Sequence, residues 1–232
     1  MNILASLQKE IQEIADSQRA KTLQRFFKTQ KGEYAEGDIF LGINVPRLRK
    51  IAKKYKDLSL IDLRKLIQAK FHEYRQIALF ILIDKYQNSD YKEKKEIFDF
   101  CLEQIKYINN WDLVDLLAPK IIGNFLLKRE REILYRLARS QHLWSRRISI
   151  VATFAFIKNN EFGDTLKIAT ILLNDQHHLI HKATGWMLRE VGKKNQELEE
   201  KFLLSYYQEM PRTMLRYAIE KFSPSKRKFY LK

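Results

Sequence analysis

Cysteine is nearly absent from this sequence, with Cys101 the single example in 232 residues. No disulfide framework can form within such a chain, which is typical of proteins from a reducing compartment such as the cytosol. Cys101 follows Ile97 and Phe98 at helical spacing, which predicts a buried position for its thiol. The sequence therefore predicts a cytoplasmic protein stabilised by a hydrophobic core.

Long hydrophobic runs are also missing. No stretch approaches the roughly 18–20 consecutive apolar residues that a membrane-spanning helix requires. The first 18 residues contain acidic residues throughout and no continuous apolar segment, which argues against a secretory signal peptide. We therefore expect neither membrane insertion nor secretion.

Glycine and proline are scarce, at seven and four residues. Folds rich in β-structure need many turns, so this scarcity favours long helices. Hydrophobic residues make up 45% of the chain, which is enough to build a core and too many for a disordered protein. An all-α fold is the expected class.

Acidic residues are too few to balance the basic ones, and the net charge is +15. Residues 1–40 carry six basic and six acidic residues, so the whole excess lies downstream. A basic surface of this size indicates a polyanionic partner, most simply nucleic acid. The alternative is a basic protein with no such partner, and composition does not decide between the two.

The feature that is abundant is a repeated amphipathic segment. Five segments can be superimposed, each polar or basic at its start and then apolar, and they begin at residues 75, 111, 146, 181 and 212. Two helices per roughly 35–45 residues are typical of α-solenoids. We therefore predict one domain over residues 1–232, an α-solenoid of HEAT-like helical repeats with a concave basic groove. An acidic, glycine-containing loop is expected at about 32–42.

Aligning the repeats places equivalent residues in columns on one surface. The first column contains Arg75, Trp111, Arg146, His181 and Arg212, and later columns contain Arg147, Lys182, Asp115 and Arg216. A separate basic stripe is formed by Arg47, Lys50 and Lys54, and it is equally consistent with a solvated helix face. A basic groove with interleaved aromatic side chains favours a nucleic-acid backbone.

Four segments carry a resemblance to a known family. They are "NNWDLVDLLAP", "LWSRRISIVATFAFI", "IHKATGWMLREVGKKN" and "MPRTMLRYAIEKFSPSKRKFYL", with "FLGINVP" in support. Together they resemble the AlkD-like DNA alkylation repair glycosylases, over nearly the whole chain. The resemblance implies a HEAT-like solenoid that cradles duplex DNA and processes the damaged base while it remains stacked.

The resemblance also implies a set of site residues. The catalytic carboxylate matches Asp115, and the tryptophans that face the lesion match Trp111 and Trp186. The DNA-contacting arginine beside the site matches Arg147, with Arg146 as the neighbouring alternative. An aromatic residue near the N-terminus has two candidates, Phe27 and Tyr34. The remaining predicted DNA contacts are Lys182, Arg189, Arg212, Arg216, Arg47 and Lys50.

The implied activity is a DNA N-glycosylase of base excision repair that releases cationic alkylated purines such as 3-methyladenine and 7-methylguanine. One carboxylate is enough for this reaction, because a cationic purine leaves without protonation and the oxocarbenium-like sugar needs only a nearby negative charge. A non-catalytic solenoid that recognises damaged or branched DNA by shape is the alternative. A protein-binding scaffold with incidental basic charge is a third.

Each site residue also has a purely structural interpretation. Trp111 is at a helix start, where packing is the commoner role, and Asp115 is equally compatible with a buried ion pair to an arginine of a neighbouring repeat. Asp112 reads as a first-turn acid, with Asn110 as the N-cap. His177, His178 and His181 lack further ligands nearby, so no metal is expected, and no glycine-rich phosphate loop indicates a cofactor. The expected partner is alkylated double-stranded DNA, bound by a monomer near the nucleoid.

Overall fold

The computed structural model describes residues 3–232, and the regular structure in that range is helical. The only β-type pairing among these residues is one isolated bridge between Ile39 and Phe71. The predicted all-α, helical-repeat fold is confirmed. The chain divides into two compact units, the first ending at Leu117 and the second beginning at Ala118.

No helix within residues 3–232 is both long enough and apolar enough to cross a membrane.

The first unit contains seven α-helices and one 3₁₀ turn, Ile105–Tyr107, among its described residues. The α-helices are α1 (Ile3–Glu13), α2 (Ser17–Phe26), α3 (Val45–Lys54), α4 (Leu60–Ile67), α5 (His72–Asn88), α6 (Tyr91–Glu103) and α7 (Trp111–Leu117). The repeat segment predicted at Arg75 lies in α5, and the one predicted at Trp111 forms α7.

Side-chain caps set the starts of several of these helices. Asp16 accepts a hydrogen bond from the Arg19 amide at 2.9 Å, and Asn44 accepts one from the Arg47 amide at 3.0 Å. Pro46 stands at the second position of α3, where its missing N–H leaves no intrahelical bond unmade.

Helix α5 is the centre of the first unit. Thirteen of its seventeen residues are buried, because α3, α4 and α7 pack around it. A helix that is buried on all sides shows little amphipathic contrast, and its polar residues need partners inside the protein. Cys101, on α6, is buried as predicted.

The second unit begins with a π-helical turn, Ala118–Gly123, which contains Pro119. Proline lacks the amide that an α-helix uses at that point, and π-turns accommodate such interruptions. The α-helices that follow are α8 (Asn124–Leu126), α9 (Glu132–Ala138), α10 (Leu143–Ala152), α11 (Phe154–Lys158), α12 (Gly163–Ile171), α13 (His178–Lys194), α14 (Gln196–Tyr206), α15 (Arg212–Ala218) and α16 (Pro224–Tyr230).

Helix α13 is the centre of the second unit and packs against α10, α14 and α15. Gly185 allows the close contact with α15, since a Cβ there would overlap the Met214 carbonyl oxygen and the Tyr217 side chain. The repeat segments predicted at Arg146, His181 and Arg212 correspond to α10, α13 and α15. The three helices predicted in this half are confirmed.

The histidines at the start of α13 have local structural roles. His177 is the N-cap, and its Nδ1 accepts from the Leu179 amide at 3.1 Å. The His178 ring stacks on His177 with centroids 4.8 Å apart, and His181 Nε2 bonds to the Asp175 carbonyl. Burial lowers the pKa of His177 and of His178, which favours their neutral forms.

Glu199 is a buried acid in the second unit. It lies on α14, with its carboxyl group packed over Gly192 of α13, and its Oε1 has no hydrogen-bond partner among the described residues. Burial, with a smaller contribution from Glu200, outweighs the nearby Arg189 and raises the pKa of Glu199 to about 8. The folded protein therefore keeps this side chain protonated at neutral pH.

This acid predicts a pH-dependent stability. The unfolded chain releases the Glu199 proton at lower pH than the folded protein does, so folding stability falls as the pH rises from about 4.5 to about 8. In Glu199→Gln, the loss between pH 5 and 8 should be smaller by roughly 2–4 kcal/mol. Urea unfolding at pH 5 and at pH 8 measures this change in the free energy of unfolding. Glu197→Gln, an exposed change on the same helix, should keep the parental loss, and an unchanged loss in Glu199→Gln would contradict the assignment.

Candidate active site

The segment that carries Trp111 is held in place by its two neighbours. Asn110 is fully buried, and its side-chain oxygen accepts from the Trp111 amide at 2.9 Å. A typical N-cap binds the second or third amide of the helix instead, so this bond is not the predicted N-cap bond of Asn110. Asp112 lies in the first turn of α7, as predicted, and accepts from the Leu113 amide at 2.9 Å.

The indole of Trp111 is half-buried and rests on a stack of rings. Phe27 lies against it with centroids 5.3 Å apart, Phe40 lies against Phe27 at 5.0 Å, and the His72 imidazole lies against Phe40 at 4.4 Å. All three contacts are nearly parallel. Phe26 meets the same indole edge-on at 6.2 Å and is 62% exposed. The chain thus presents two aromatic side chains, Trp111 and Phe26, above a buried aromatic base.

These rings border a cleft of about 250 Å³ in the first unit. Apolar side chains form most of its lining, and the polar residues there are Arg19, His72, Glu73, Gln76 and Asp112. The side chain of Asp112 is 14% exposed. An aromatic cleft with a few polar groups is suited to a flat ligand with a polar edge.

A buried group of charges lies beneath the cleft. The His72 side chain is 2% exposed, with its Nδ1 2.8 Å from Asp38 Oδ2 and its Nε2 2.9 Å from Asp112 Oδ2. Burial alone would lower the pKa of His72, but the Asp112 and Asp38 carboxylates outweigh it and raise that pKa to about 9. His72 is therefore an imidazolium at neutral pH.

Asp38 is the most enclosed member of this group. It pairs with Arg75 as well as His72, and Asn110 donates to it at 3.4 Å. Burial alone would raise the pKa of Asp38, but these partners, His72 foremost, hold it below its usual value. The predicted basic column placed Arg75 in the groove. That placement was wrong, because Arg75 is buried and forms an ion pair with Asp38.

The predicted acidic loop supplies Asp38 and part of the cleft. Gly32, Gly37 and Gly42 all have positive φ, which glycine adopts most readily. At Gly42 a Cβ would also overlap the Asp16 carbonyl oxygen. The buried Glu73 carboxylate accepts from the amides of Leu41, Gly42 and Ile43 at 2.8–3.3 Å. The loop is therefore held in place by hydrogen bonds to a buried carboxylate of the first unit.

Asp115 lies one helical turn after Trp111 on α7 and is half-buried, as is the indole. The predicted shared face of these two residues is confirmed by the helical conformation of residues 111–117. On the opposite face, Leu113 and Leu117 are buried in the core. The catalytic role of Asp115 stays a prediction.

In the second unit, Trp186 is half-buried on α13. Its Nε1 donates to Glu190 Oε1 at 3.1 Å, and its ring lies tilted against Phe154 at 5.9 Å. Arg147, on α10, is buried, and its guanidinium donates to the Leu179 carbonyl at 2.8 Å. The lesion-facing role of Trp186 and the DNA contact of Arg147 stay predictions.

The other predicted DNA contacts differ in how available their charges are. Arg146 binds Asp175 at 2.6 Å, and Arg189 pairs with Glu190 and Glu220. Lys182 is half-buried. The exposed cations of the set are Arg47, Lys50, Arg212 and Arg216. Phosphate contacts are therefore most accessible to these four side chains.

Comparison with known proteins decides the family. The model of a family described as "DNA alkylation repair enzyme" matches residues 7–222. The chain belongs to this family. Its role is therefore in DNA alkylation repair, with DNA as the partner. No significant match was found among curated proteins.

Three solved structures share the fold of this DNA alkylation repair enzyme. A predicted DNA alkylation repair enzyme from Enterococcus faecalis is 17% identical, with a TM-score of 0.71 over 90% of this chain and 97% of the other. The smu.31 protein from Streptococcus mutans is 18% identical, with a TM-score of 0.54 over 95% and 99%. AlkD2 from Streptococcus mutans is 18% identical, with a TM-score of 0.56 over 89% and 98%. At these identities the likeness concerns the fold.

Sequence reasoning missed several residues of the cleft in this repair enzyme. It left the N-terminal aromatic open between Phe27 and Tyr34, whereas Phe27 lies under the indole and Phe26 is the exposed ring. It also missed His72 and Glu73. The one local signal was the polar start of α5, where His72 and Glu73 precede an apolar stretch and, once buried, need partners.

Proposed function

We propose that this protein is a DNA N-glycosylase that hydrolyses the glycosidic bond of cationic alkylated purines in duplex DNA. The observation that carries the proposal is the indole of Trp111, half-buried over its aromatic base and one helical turn from Asp115. Family membership supports the repair role, and this arrangement supports the chemistry.

The main requirement of the reaction is one negatively charged side chain at a fixed position. Alkylation at N3 or N7 makes the purine cationic, so the C1′–N bond breaks with both electrons passing to a base that leaves neutral. The sugar then carries oxocarbenium-like charge. The Asp115 carboxylate stabilises that charge and accepts a proton from the water that attacks C1′. The products are the free alkylated base and an abasic site.

The aromatic side chains supply selectivity in this proposal. A cation near the face of an indole is attracted by about 0.5–2 kcal/mol, and a neutral base receives less of this stabilisation. Trp111 supplies such a face in the first unit, and the exposed ring of Phe26 widens the same apolar surface. A lesion-facing role for Trp186 of the second unit is implied by the family resemblance alone.

The test is release of free bases. Purified protein is incubated with methylated duplex DNA, and released 7-methylguanine and 3-methyladenine are measured by chromatography. Release above the spontaneous rate supports the glycosylase. Salt-dependent DNA binding without release would replace it with the non-catalytic, shape-recognising alternative.

Trp111 makes a separate prediction. In Trp111→Ala, 7-methylguanine release should fall by about 3–30-fold, the rate equivalent of one cation–π contact. The preference for methylated over unmethylated duplex should narrow. Trp111→Phe keeps an aromatic face against Phe27 and should retain most of the release rate and most of the preference for methylated duplex. Equal activity of the alanine variant and the parent would remove Trp111 from the site.

A further inference from the structure

Three of the segments that build the cleft meet at one buried side chain, His72. The imidazole opens α5, Asp38 comes from the glycine-containing loop, and Asp112 comes from α7. Both ring nitrogens face carboxylate oxygens, at 2.8 and 2.9 Å. A neutral imidazole has one N–H donor, so only the imidazolium can donate at both positions.

The surrounding charges require that proton. Asp38 and Asp112 face the ring as anions, and Arg75 faces Asp38 as a cation. The carboxylate of Glu73, the next residue in the chain, is satisfied by the loop amides, and Arg19 is at the exposed rim of the cleft. Loss of the His72 proton leaves Asp38 and Asp112 with Arg75 as the one buried cation among the described residues of the first unit. An uncompensated buried charge is strongly unfavourable.

Trp111 depends on this cluster in two ways. Its main chain lies between Asn110 and Asp112. The Asn110 side chain donates a hydrogen bond to Asp38, and Asp112 Oδ2 accepts hydrogen bonds from the His72 imidazolium and from Gln76. Its ring rests on Phe27, which packs against both Phe40 and His72. Both the backbone and the ring of Trp111 are therefore anchored to the same imidazolium.

We propose that His72 is a positioning residue for the repair reaction, whose imidazolium pins Asp112 and Asp38 and thereby fixes the Trp111 indole at the cleft. The proposal rests on the proposed function for its catalytic consequence, and on the contacts of the first unit for the positioning itself. Loss of the proton frees the Asn110–Asp112 segment and lets the indole move.

The positioning is tested on the full chain without any assay of activity. Histidine labelled with ¹⁵N reports the protonation of His72, and 5-fluorotryptophan reports the environment of Trp111 by ¹⁹F NMR between pH 6 and pH 10. One histidine should titrate near pH 9, and the Trp111 resonance should shift with the same midpoint. The Trp144 and Trp186 resonances are internal controls and should not follow it.

Three variants assign the transition. His72→Gln should abolish it, Asp112→Asn should move its midpoint to lower pH because one favourable charge is gone, and His142→Gln should leave it unchanged. If His72→Gln fails to fold, the midpoint in Asp112→Asn still decides the assignment. A Trp111 resonance that stays constant while His72 titrates would overturn the proposal, as would the absence of any histidine titrating above pH 8.

Base release supplies the catalytic readout. If only the imidazolium form is productive, release should fall by about fourfold between pH 7 and pH 9.5. His142→Gln should show the same fall. A parent protein that releases no base but shows the coupled NMR transition would refute the glycosylase and leave the positioning intact. A glycosylase with a flat profile over this range would refute the catalytic role of His72 alone.

Discussion

The Asp115→Asn protein is expected to fold and to bind DNA normally, yet to release 7-methylguanine about 10²–10³-fold more slowly than the parent. This is the scale of deleting one electrostatic contact made in the transition state. Asparagine preserves the size and much of the hydrogen-bonding capacity of the side chain but removes its negative charge. The measurement is single-turnover release from methylated duplex DNA, with the thermal midpoint recorded on the same preparation.

A purely structural Asp115 would give a different result. Loss of a buried ionic partner lowers stability by up to about 3–5 kcal/mol, which would appear as a large drop in the thermal midpoint. Asp99→Asn is a suitable control, because Asp99 is an exposed carboxylate of the first unit that pairs with Lys95. The control should leave both readouts unchanged. Undiminished release by a stable Asp115→Asn would exclude Asp115 from the mechanism.

DNA affinity is expected to depend steeply on salt. Each phosphate neutralised contributes about −0.9 to the slope of log affinity against log salt. If the four exposed cations Arg47, Lys50, Arg212 and Arg216 each meet one phosphate, affinity should fall by about 10²-fold between 50 and 200 mM salt. Fluorescence anisotropy with a labelled duplex measures the slope.

Single alanine variants show how much each cation contributes to this slope. Arg47→Ala and Arg212→Ala should each reduce its magnitude by about 0.9 and weaken binding equally for all sequences, since phosphate contacts carry no sequence information. Lys95→Ala removes an exposed lysine that pairs with Asp99 and should leave the slope unchanged. Affinity that is constant across this salt range would count against phosphate contacts at these residues.

Asp115 and the surface around it differ in how well they follow from local sequence. Trp111 and Asp115 share a face because residues four apart on any helix do so, and α7 forms where its pattern predicts. The partners of the buried His72 beneath Trp111 do not follow in this way. Asp38 and Asp112 are 34 and 40 residues from His72, and no local pattern relates them.

The sequence by itself determined the all-α class, the five repeat helices and the buried position of Cys101, because these depend on hydrophobic periodicity, which is a local property. Tertiary structure alone decided which charges remain available. Arg75 and Arg146 occupy the same repeat column as the exposed Arg212, yet Asp38 and Asp175 neutralise them. Periodicity assigns a side chain to a face, but its partner comes from a distant segment that only packing brings close.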